Sequence, residues 1–407
     1  MSRIFVIHEN AEWLPPFAEA LDAEGVPWEE WCLVEGALDL DATPPEGVFY
    51  SRMSASSHTR GHTASKDYTR SVLSWLESHG RTVVNGRRVV ELEMSKVDQH
   101  AALRAFGFDV PRTVAVVGRG LLKEKARAMA LPFITKHNQG GKGLGVRRFD
   151  NHRDFDDYVD GTDFEKPVDG ITLLQEYVQP AAGYITRVEI VGGEFLYALT
   201  ASVSAGFELC PADECVVDPD TGAGFDLCPV GDGPAGKLPE KGLFHWRRDF
   251  DYPIIDHYLD FCRLWGIGVA GFEFIETADG RLVTYDINTN TNYNSVVEGE
   301  AGRSGPAAVA RHLAALARGL DPRPGPQAGT RSPGSSGTDR YLRKNCTAGP
   351  MDTRNQTVPH PAVPPSRTPL DRATASMPKR AFQRVTPRLS SAVMRPSRGP
   401  GPSLTPM

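Results

Sequence analysis

One stretch decides the fold: Gly268-Val-Ala-Gly-Phe-Glu-Phe-Ile-Glu-Thr-Ala-Asp-Gly-Arg-Leu-Val-Thr-Tyr-Asp-Ile-Asn288. Its centre, Asp279-Gly280, lies between two runs rich in β-branched and aromatic residues, a setting typical of a tight β-hairpin turn. A two-residue turn at this point places Glu273 directly opposite Asp286. Opposed side chains of an antiparallel pair lie only ~5 Å apart, so two carboxylates at these positions repel each other.

The hairpin also predicts a metal site. Asn288 projects to the same face as Asp286, because strand side chains alternate with a period of two. Two carboxylates and an amide are oxygen ligands of the kind that Mg²⁺ prefers, with Mn²⁺ as an alternative ion. A solvated hairpin with scattered charges is the competing interpretation. However, Glu273 lies between Phe272 and Phe274, and burying an unpaired carboxylate is costly. We therefore predict Glu273, Asp286 and Asn288 as metal ligands.

Composition separates the C-terminal segment from the rest of the 407-residue chain. Residues 321–407 carry 14 Lys+Arg and 4 Asp+Glu, and they hold 16 of the 32 prolines. Such a segment cannot bury enough apolar surface to offset its ordering entropy, so we predict a disordered tail. A passive tail is favoured over recruitment of nucleic acid or acidic partners, and a shifted reading frame is a further alternative.

The compartment is predicted to be the cytoplasm. No apolar run reaches the ~20 residues of a transmembrane helix, and the N-terminus lacks the apolar core of a signal peptide. Six cysteines are too few for a disulfide framework in a chain of this length. Cys210 and Cys215 have a Cys-x₄-Cys spacing, with Cys228 further on. A fourth zinc ligand at a familiar spacing is missing, so reduced thiols in a loop are favoured over a zinc site.

The folded part divides into three predicted domains. Alternating strands and helices predict an open α/β domain over 1–92. It lacks a G-x-G-x-x-G after its first strand and is therefore not predicted to bind a dinucleotide. A helix capped by Ser95 opens a central domain over 93–178. A hairpin over Gly192-Gly193 belongs to a third domain, 179–320.

A glycine-rich loop predicts phosphate binding. Lys136 ends a buried strand, and Gly140-Gly-Lys-Gly-Leu-Gly145 follows closely. Such glycines let backbone N–H groups approach a polyanion. The loop is not a P-loop, because Gly143 stands where Ser or Thr would meet magnesium. A flexible hairpin is the alternative. The predicted metal site favours phosphate, since Mg²⁺ is usually held by one or two carboxylates and substrate phosphates.

The order of these features resembles the ATP-grasp superfamily, specifically its glutathione synthetase and α-L-glutamate ligase (RimK-type) branch. A lysine opens a capped helix, a second lysine precedes a glycine loop, and an apolar strand, an arginine and the acidic hairpin follow. The resemblance covers about 1–318. It implies a three-domain α/β architecture with α+β grasp domains, and ATP held between the central and C-terminal ones.

The resemblance also implies roles for individual residues. Two lysines contact the ATP phosphates, a mobile loop closes over them, a hinge strand holds adenine, and an arginine stabilises the transferred phosphate. In this sequence the phosphate lysines are Lys96 and Lys136, the loop is Gly140, Gly141 and Gly143, the hinge is Gln175, Glu176, Tyr177 and Val178, the catalytic pair is Arg187 with Lys136, and the metal ligands are Glu273, Asp286 and Asn288.

The implied reaction is ATP- and Mg²⁺-dependent joining of a carboxylate to an amine through an acyl phosphate. A phosphotransferase with a hydroxyl acceptor and a non-catalytic ATP-binding scaffold are the alternatives. Two departures from the family stand out. Gln179–Tyr184 lacks the acid that often holds ribose, and 202–215 lacks the Arg-x-Asn stretch of glutamate ligases, which leaves the substrate open. The expected partners are a small-molecule or peptide carboxylate and an amine, in a dimer or tetramer, with no membrane or nucleic-acid partner.

Candidate substrate residues lie in the N-terminal domain. The loop after Ser51 follows a strand end, where open α/β sheets bind ligands. Arg52 and Arg60 are candidates to clamp a substrate carboxylate. His58 and His62 are candidates to move protons. A solvated polar loop is the alternative. Cysteine nucleophiles at the Cys-x₄-Cys pair are disfavoured, because no flanking base is evident.

Deletion of 321–407 tests the predicted tail. We expect the midpoint of thermal unfolding to change by less than about 2 °C, because the segment adds no apolar burial. Differential scanning calorimetry of the full-length and truncated chains gives the comparison. A large drop in the midpoint would show that the tail packs on the core.

Overall fold

The computed structural model describes residues 2–141, 143, 145–203 and 244–320. These residues belong to one compact unit, Met1–Arg331. The second unit, Ser332–Met407, and the segment 204–243 lie outside the described residues. The predictions for the tail and for Cys210, Cys215 and Cys228 therefore stay predictions. Among the helices of the described ranges, none has the length and apolarity needed to cross a bilayer.

The N-terminal part is built on a parallel four-stranded sheet. Its strands are in the order β2-β1-β3-β4, and hydrophobic side chains such as Ile4, Val6 and Phe49 are buried, as expected for a parallel sheet covered on both faces. The elements in chain order are β1 Arg3–His8, a 3₁₀ turn Ala11–Trp13, α1 Pro15–Glu24, β2 Trp28–Cys32, β3 Gly47–Ser51, a 3₁₀ turn Ser57–Arg60, α2 Ser65–Ser78, β4 Thr82–Val84 and α3 Arg87–Met94.

The central part is an antiparallel sheet in the order β5-β8-β6-β7. Ser95 caps its first helix as predicted, since the Oγ atom accepts the Asp98 N–H at 3.2 Å. The elements are α4 Lys96–Phe106, β5 Thr113–Val117, α5 Leu122–Ala126, β6 Phe133–His137, β7 Arg147–Phe149, α6 His152–Asp160 and β8 Ile171–Glu176.

The third part is an antiparallel five-stranded sheet in the order β11-β10-β9-β12-β13. Gly192 and Gly193 form the predicted turn, with φ of +60° and +78°, as a two-residue hairpin turn requires. Each sheet falls within one of the three predicted segments, although the division into domains stays a prediction. The elements are β9 Tyr184–Val191, β10 Glu194–Ser202, β11 Phe244–Trp246, α7 Ile254–Trp265, β12 Val269–Glu276, β13 Leu282–Asn288, α8 Ser295–Ala301 and α9 Gly305–Ala317.

The turn between β12 and β13 differs from the prediction. Thr277 N–H donates to the Arg281 carbonyl at 3.0 Å, so the loop has three residues rather than two, with Gly280 at φ +84°. This shifts the register by one residue. A β-bulge next to Glu273 shifts it back, so Glu273 does oppose Asp286. The predicted turn was wrong, and the predicted pairing of the acids is confirmed.

Asn85 connects the N-terminal part to the third sheet. It is 1% exposed and has a φ of +54°, a conformation that asparagine tolerates. Its Oδ1 accepts from Gly268 N at 2.9 Å and Val269 N at 3.2 Å, and its Nδ2 donates to the carbonyls of Val269 and Thr289, both at 2.9 Å. One buried amide therefore holds the end of β4 against both strands of the acidic hairpin.

We expect Asn85→Ala to lower the free energy of unfolding by about 3 kcal/mol or more, because it removes four hydrogen bonds at buried backbone groups. Asn151→Ala is the matched control: it removes an exposed helix cap, and we expect about 1 kcal/mol. Urea unfolding measures both variants. Equal losses for the two would contradict the bridging role of Asn85.

Candidate functional site

The residues predicted for nucleotide, metal and catalysis surround one pocket, which is lined by all three parts of the fold. The N-terminal part contributes the loop after β3, and the central part contributes the end of β6, the glycine loop and the end of β8. The third sheet contributes β9 and the acidic hairpin. Among the lining residues are all those predicted for nucleotide, metal and catalysis: Lys96, Lys136, Gly140, Gly141, Gly143, Gln175, Glu176, Tyr177, Val178, Arg187, Glu273, Asp286 and Asn288.

The two opposed acids are each paired with a cation. The Lys96 ammonium forms an ion pair with Asp286. The Arg187 Nη1 atom lies 3.1 Å from Glu273 Oε1. Burial alone would raise the pKa of Asp286, but the ammonium groups of Lys96 and Lys136 outweigh burial and hold this pKa below its ordinary value. A lowered pKa favours the ionised form of Asp286, which is the form that binds a cation.

Arg187 is held flat against the third sheet. It is 2% exposed, and its Nε donates to Glu189 Oε1 at 2.6 Å. Burial alone would lower the pKa of Arg187, but Glu189 and Glu273 together raise it. Gly271 on the neighbouring strand leaves room for the guanidinium, since a Cβ atom there would lie 2.6 Å from Nη2. Glu189 was missed by sequence reasoning, although its position two residues after Arg187 places both on one face of β9.

Lys136 lines the pocket but forms no ion pair with an acid in the described part of the chain. Among the residues that the structure describes, no carboxylate lies within ion-pair distance of its Nζ atom, which is 5.5 Å from the centre of the Tyr285 ring. Burial lowers the pKa of Lys136, and the Lys96 ammonium adds to this effect against the opposing influence of Asp286. An anionic ligand in the pocket would restore the favourable environment of this ammonium group.

Asn138 brings the two lysines together. Its backbone carbonyl accepts the Lys96 N–H at 3.1 Å, and its Oδ1 accepts the Val97 N–H at 2.9 Å. The residue that follows β6 therefore serves as a second cap for α4, whose first residue is Lys96. This contact places the end of the strand that carries Lys136 beside the helix N-terminus, where positive charge favours anions.

The donor set of the hairpin fits a hard cation. Within the described residues, no three His, Cys, Asp or Glu side chains form a group able to hold a metal ion. The chain thus offers two carboxylates and the Asn288 amide rather than a complete cage. Mg²⁺ suits such a partial site, because it usually keeps water molecules or substrate phosphates as its other ligands.

Tyr285 is a further residue that sequence reasoning missed. The β-bulge lets Tyr285 and Asp286, although adjacent, both line the pocket. The Tyr285 hydroxyl donates to Glu273 Oε2 at 2.7 Å. Strict alternation predicts the opposite face for Tyr285, and the bulge accounts for its position beside Glu273.

The hinge residues lie at the end of β8. The Glu176 carboxylate accepts the Arg112 N–H at 3.0 Å, and the Arg148 guanidinium lies 4.4 Å from the Tyr177 ring centre. Gln175 is buried, and its Oε1 has no hydrogen-bond partner within the described part of the chain. This acceptor and the backbone beyond the strand form a polar edge beside apolar side chains, which are Ile134, Val146, Ile185 and Ile275.

The structure does not bring the predicted substrate residues to the pocket wall. Arg52 is 2% exposed and donates to the Trp13 carbonyl and to Asn292 Oδ1, both at 2.8 Å. Arg60 Nη2 lies 2.5 Å from Glu9 Oε1, and His62 Nδ1 lies 2.8 Å from Glu9 Oε2. Their polar atoms are engaged by partners from distant elements, which a local motif does not reveal. His58 likewise faces the Ala55 carbonyl at 3.1 Å.

Solved structures with the same architecture are ATP-grasp proteins. A RimK domain ATP-grasp protein from Sphaerobacter thermophilus DSM 20745 matches with a TM-score of 0.52 and 15% identity, over 76% of this chain and 99% of that one. D-cycloserine synthetase DcsG gives 0.51 and 16%, over 77% and 99%. The ATP-grasp ligase PsnB, solved with a minimal precursor, Mg and ADP, gives 0.51 and 15%, over 77% and 97%.

Neither the protein-family models nor the curated proteins give a match to this sequence. Because the sequence identities are low, the similarity to these solved structures establishes the fold alone. The chain therefore has the ATP-grasp fold, a mixed α/β architecture with several sheets, and the fold implied by the sequence resemblance is confirmed.

His100 on α4 makes the stability of the site region dependent on pH. Its Nε2 donates to the Tyr285 carbonyl at 3.1 Å, beside the bulge. Burial lowers the pKa of His100 from 6.5 to about 4, and the Lys136 ammonium contributes. The unfolded chain takes up this proton near pH 6.5, whereas the folded chain resists it. Stability from neutral His100 is thus fully present above pH 6.5 and is lost as the pH falls towards about 4.

We expect His100→Asn to reduce the loss of unfolding free energy between about pH 7 and about pH 4 by roughly 3 kcal/mol. Urea unfolding at both pH values measures this difference. The control is His79→Asn, which changes an exposed histidine and should leave the pH dependence as it is in the unmodified chain. If His100→Asn lost as much unfolding free energy on acidification as the unmodified chain, the pH dependence would arise from another group.

Proposed function

We propose that this protein is an ATP- and Mg²⁺-dependent ligase that joins a carboxylate to an amine through an acyl phosphate. One observation carries the proposal. A single pocket is lined by Lys136, which has no acid partner among the described residues, by the glycine loop and by the end of β8. The same pocket is lined by the two opposed acids, each of which forms an ion pair with a lysine or an arginine. Mn²⁺ is an alternative ion. The PsnB ligase, which shares the fold, was solved with Mg and ADP, and this supports the same pair of cofactors here.

The hinge end of the pocket suits adenine. Its apolar walls offer a slot for a flat ring, and the unpartnered Gln175 Oε1 offers an acceptor for an amino group. Tyr177 and Val178 lie just beyond the end of β8 and line the hinge end of the pocket. These features support the assignment of 175–178 to base recognition.

The lysines and glycines suit the triphosphate. Lys136 supplies a positive charge at the end of β6, and Gly140, Gly141 and Gly143 allow backbone N–H groups to approach phosphate oxygens. Phosphoryl transfer needs positioning and charge neutralisation more than covalent help from the protein. This arrangement supplies both.

The acidic hairpin would hold the metal through Glu273, Asp286 and Asn288. The ion, when bound, neutralises charge on the phosphate oxygens. Lys96 at present pairs with Asp286, so we expect its ammonium to turn towards phosphate oxygens as that carboxylate accepts the ion. Arg187 stays fixed by Glu189 and presents its guanidinium to the reacting groups.

The reaction then proceeds in two transfers. A substrate carboxylate oxygen bonds to the γ-phosphorus of ATP, and ADP leaves with the electrons of the broken P–O bond. The amine bonds to the acyl carbon, the C–O bond to phosphate breaks, and the amine loses a proton. Arg187 and Lys136 stabilise the negative charge on the transferred group in both steps. Exclusion of water from the pocket would protect the acyl phosphate from hydrolysis.

Replacement of Lys136 tests the nucleotide site. We expect Lys136→Ala to weaken AMPPNP binding by about 10- to 100-fold, because a charge-assisted contact to phosphate is lost. The control, Lys123→Ala, removes an exposed lysine that pairs with Asp160 and should bind normally. Isothermal titration calorimetry with AMPPNP, in the presence of Mg²⁺, measures the affinities. An unchanged affinity in Lys136→Ala would remove its phosphate role.

Hydroxylamine separates the ligase from its alternatives. Carboxylates are screened with Mg²⁺, ATP and hydroxylamine, and products are identified by mass spectrometry. A hydroxamate supports the acyl phosphate. ADP release with a phosphorylated alcohol supports a phosphotransferase, and ATP binding without ADP release across the panel favours a scaffold.

A further inference from the structure

The segment that follows the metal hairpin shows a regular alternation of contacts. We define the strap as residues 288–292, with the sequence Asn-Thr-Asn-Thr-Asn. Its threonines face the protein: Thr289 N and Oγ1 donate to Glu93 at 2.7 and 2.9 Å, and Thr291 Oγ1 lies 3.1 Å from Glu189 Oε2. Its three asparagines all line the pocket. The strap thus extends the pocket wall from the metal site towards the N-terminal part.

Asn290 is the middle residue of this row. It is 5% exposed, and its Oδ1 has no hydrogen-bond partner within the described part of the chain. A buried amide oxygen without a partner is costly, so a ligand that donates a hydrogen bond would be favoured there. Asn292, by contrast, is already held by Arg52. Asn290 is therefore the asparagine of the strap whose side-chain oxygen is available to accept a hydrogen bond from a ligand.

The opposite wall is uncharged as well. Ser54, Ala55 and Ser56 from the loop after β3 line it. The cation behind it is engaged within the protein: Arg60 pairs with Glu9 and also donates to Ser56 Oγ at 3.2 Å. Glu93, which also lines the pocket here, accepts three hydrogen bonds from the strap and from Ala55, so its carboxylate oxygens are already engaged within the protein. We call the space between the strap and this wall the uncharged end.

The two ends of the pocket therefore select different groups. The nucleotide end has Lys96, Lys136 and Arg187, which suit anions. A carboxylate at the uncharged end would lose its hydration without gaining a cation, which is unfavourable. A carboxamide or peptide group has the same shape and brings both donors and acceptors to the asparagine and the serines.

We propose that the uncharged end binds an amide-bearing, peptide-like part of the substrate, and that Asn290 is its specificity-determining contact. This inference rests on the proposed function, since it assumes that nucleotide fills the other end. It excludes a free amino acid whose carboxylate is recognised at this end.

The test compares two probes that differ only at one group, alanyl-alanine amide and alanyl-alanine. Their binding to the full chain with Mg²⁺ and AMPPNP is measured by ligand-observed NMR titration. We expect the amide to bind about tenfold tighter, because the free carboxylate meets no cation at the uncharged end.

Two variants assign the effect to the strap. Asn290→Ala should weaken binding of the amide probe by about tenfold while AMPPNP affinity stays within about twofold. Asn294→Ala is the matched control on the same segment, because Asn294 caps α8 and does not line the pocket. It should bind the amide probe as the unmodified chain does.

Several results would overturn the inference. They are equal or tighter binding of the free carboxylate, binding of neither probe, or no effect of Asn290→Ala. Weaker binding of alanyl-alanine in Arg60→Gln would also do so, because it would reveal a carboxylate clamp. The hydroxylamine assay is independent of these measurements, so a missing hydroxamate counts against the ligase and the probe preference counts for or against the uncharged end.

Discussion

The pairing of buried cations with the two opposed acids is the constraint on which the site depends. Glu273 and Asp286 face each other across two strands, and each is paired in its partly buried position with a cation, Arg187 for Glu273 and Lys96 for Asp286. These ion pairs neutralise the acidic hairpin from within. A bound metal ion would have to compete with the lysine for Asp286, so metal and phosphate binding are expected to be coupled.

Backbone geometry makes this pairing feasible. Gly271 lets the Arg187 guanidinium lie flat on β12, and the bulge lets Tyr285 and Asp286 share the pocket wall. Asn138 fixes the start of α4 beside the end of β6. None of these features carries chemistry itself. Each converts an ordinary strand or helix end into a position from which a charged group reaches the pocket.

Sequence reasoning succeeded where chemistry and spacing are local. The acid pair, the glycine loop and the strand ending in Lys136 lie in short stretches, and the ATP-grasp fold followed from their order. The facing of Glu273 and Asp286 emerged from two deviations that cancel, a longer turn and a bulge, which no alternation rule predicts. The pairing of Arg60 with Glu9 could not be predicted, because Glu9 is 51 positions away in the sequence and adjacent only in the fold.

The distribution of charge within the pocket bears on how a ligase avoids side reactions. In the proposed reaction the acyl phosphate is an anion with a reactive carbonyl, and the cations at the nucleotide end would hold its phosphate. Its carbonyl would then lie towards the serines and asparagines that line the other end of the pocket. Such a wall disfavours a second carboxylate as a competing nucleophile and leaves a neutral amine unaffected. Under the proposed function, the separation of charged and uncharged ends would link nucleotide binding to the choice of acceptor.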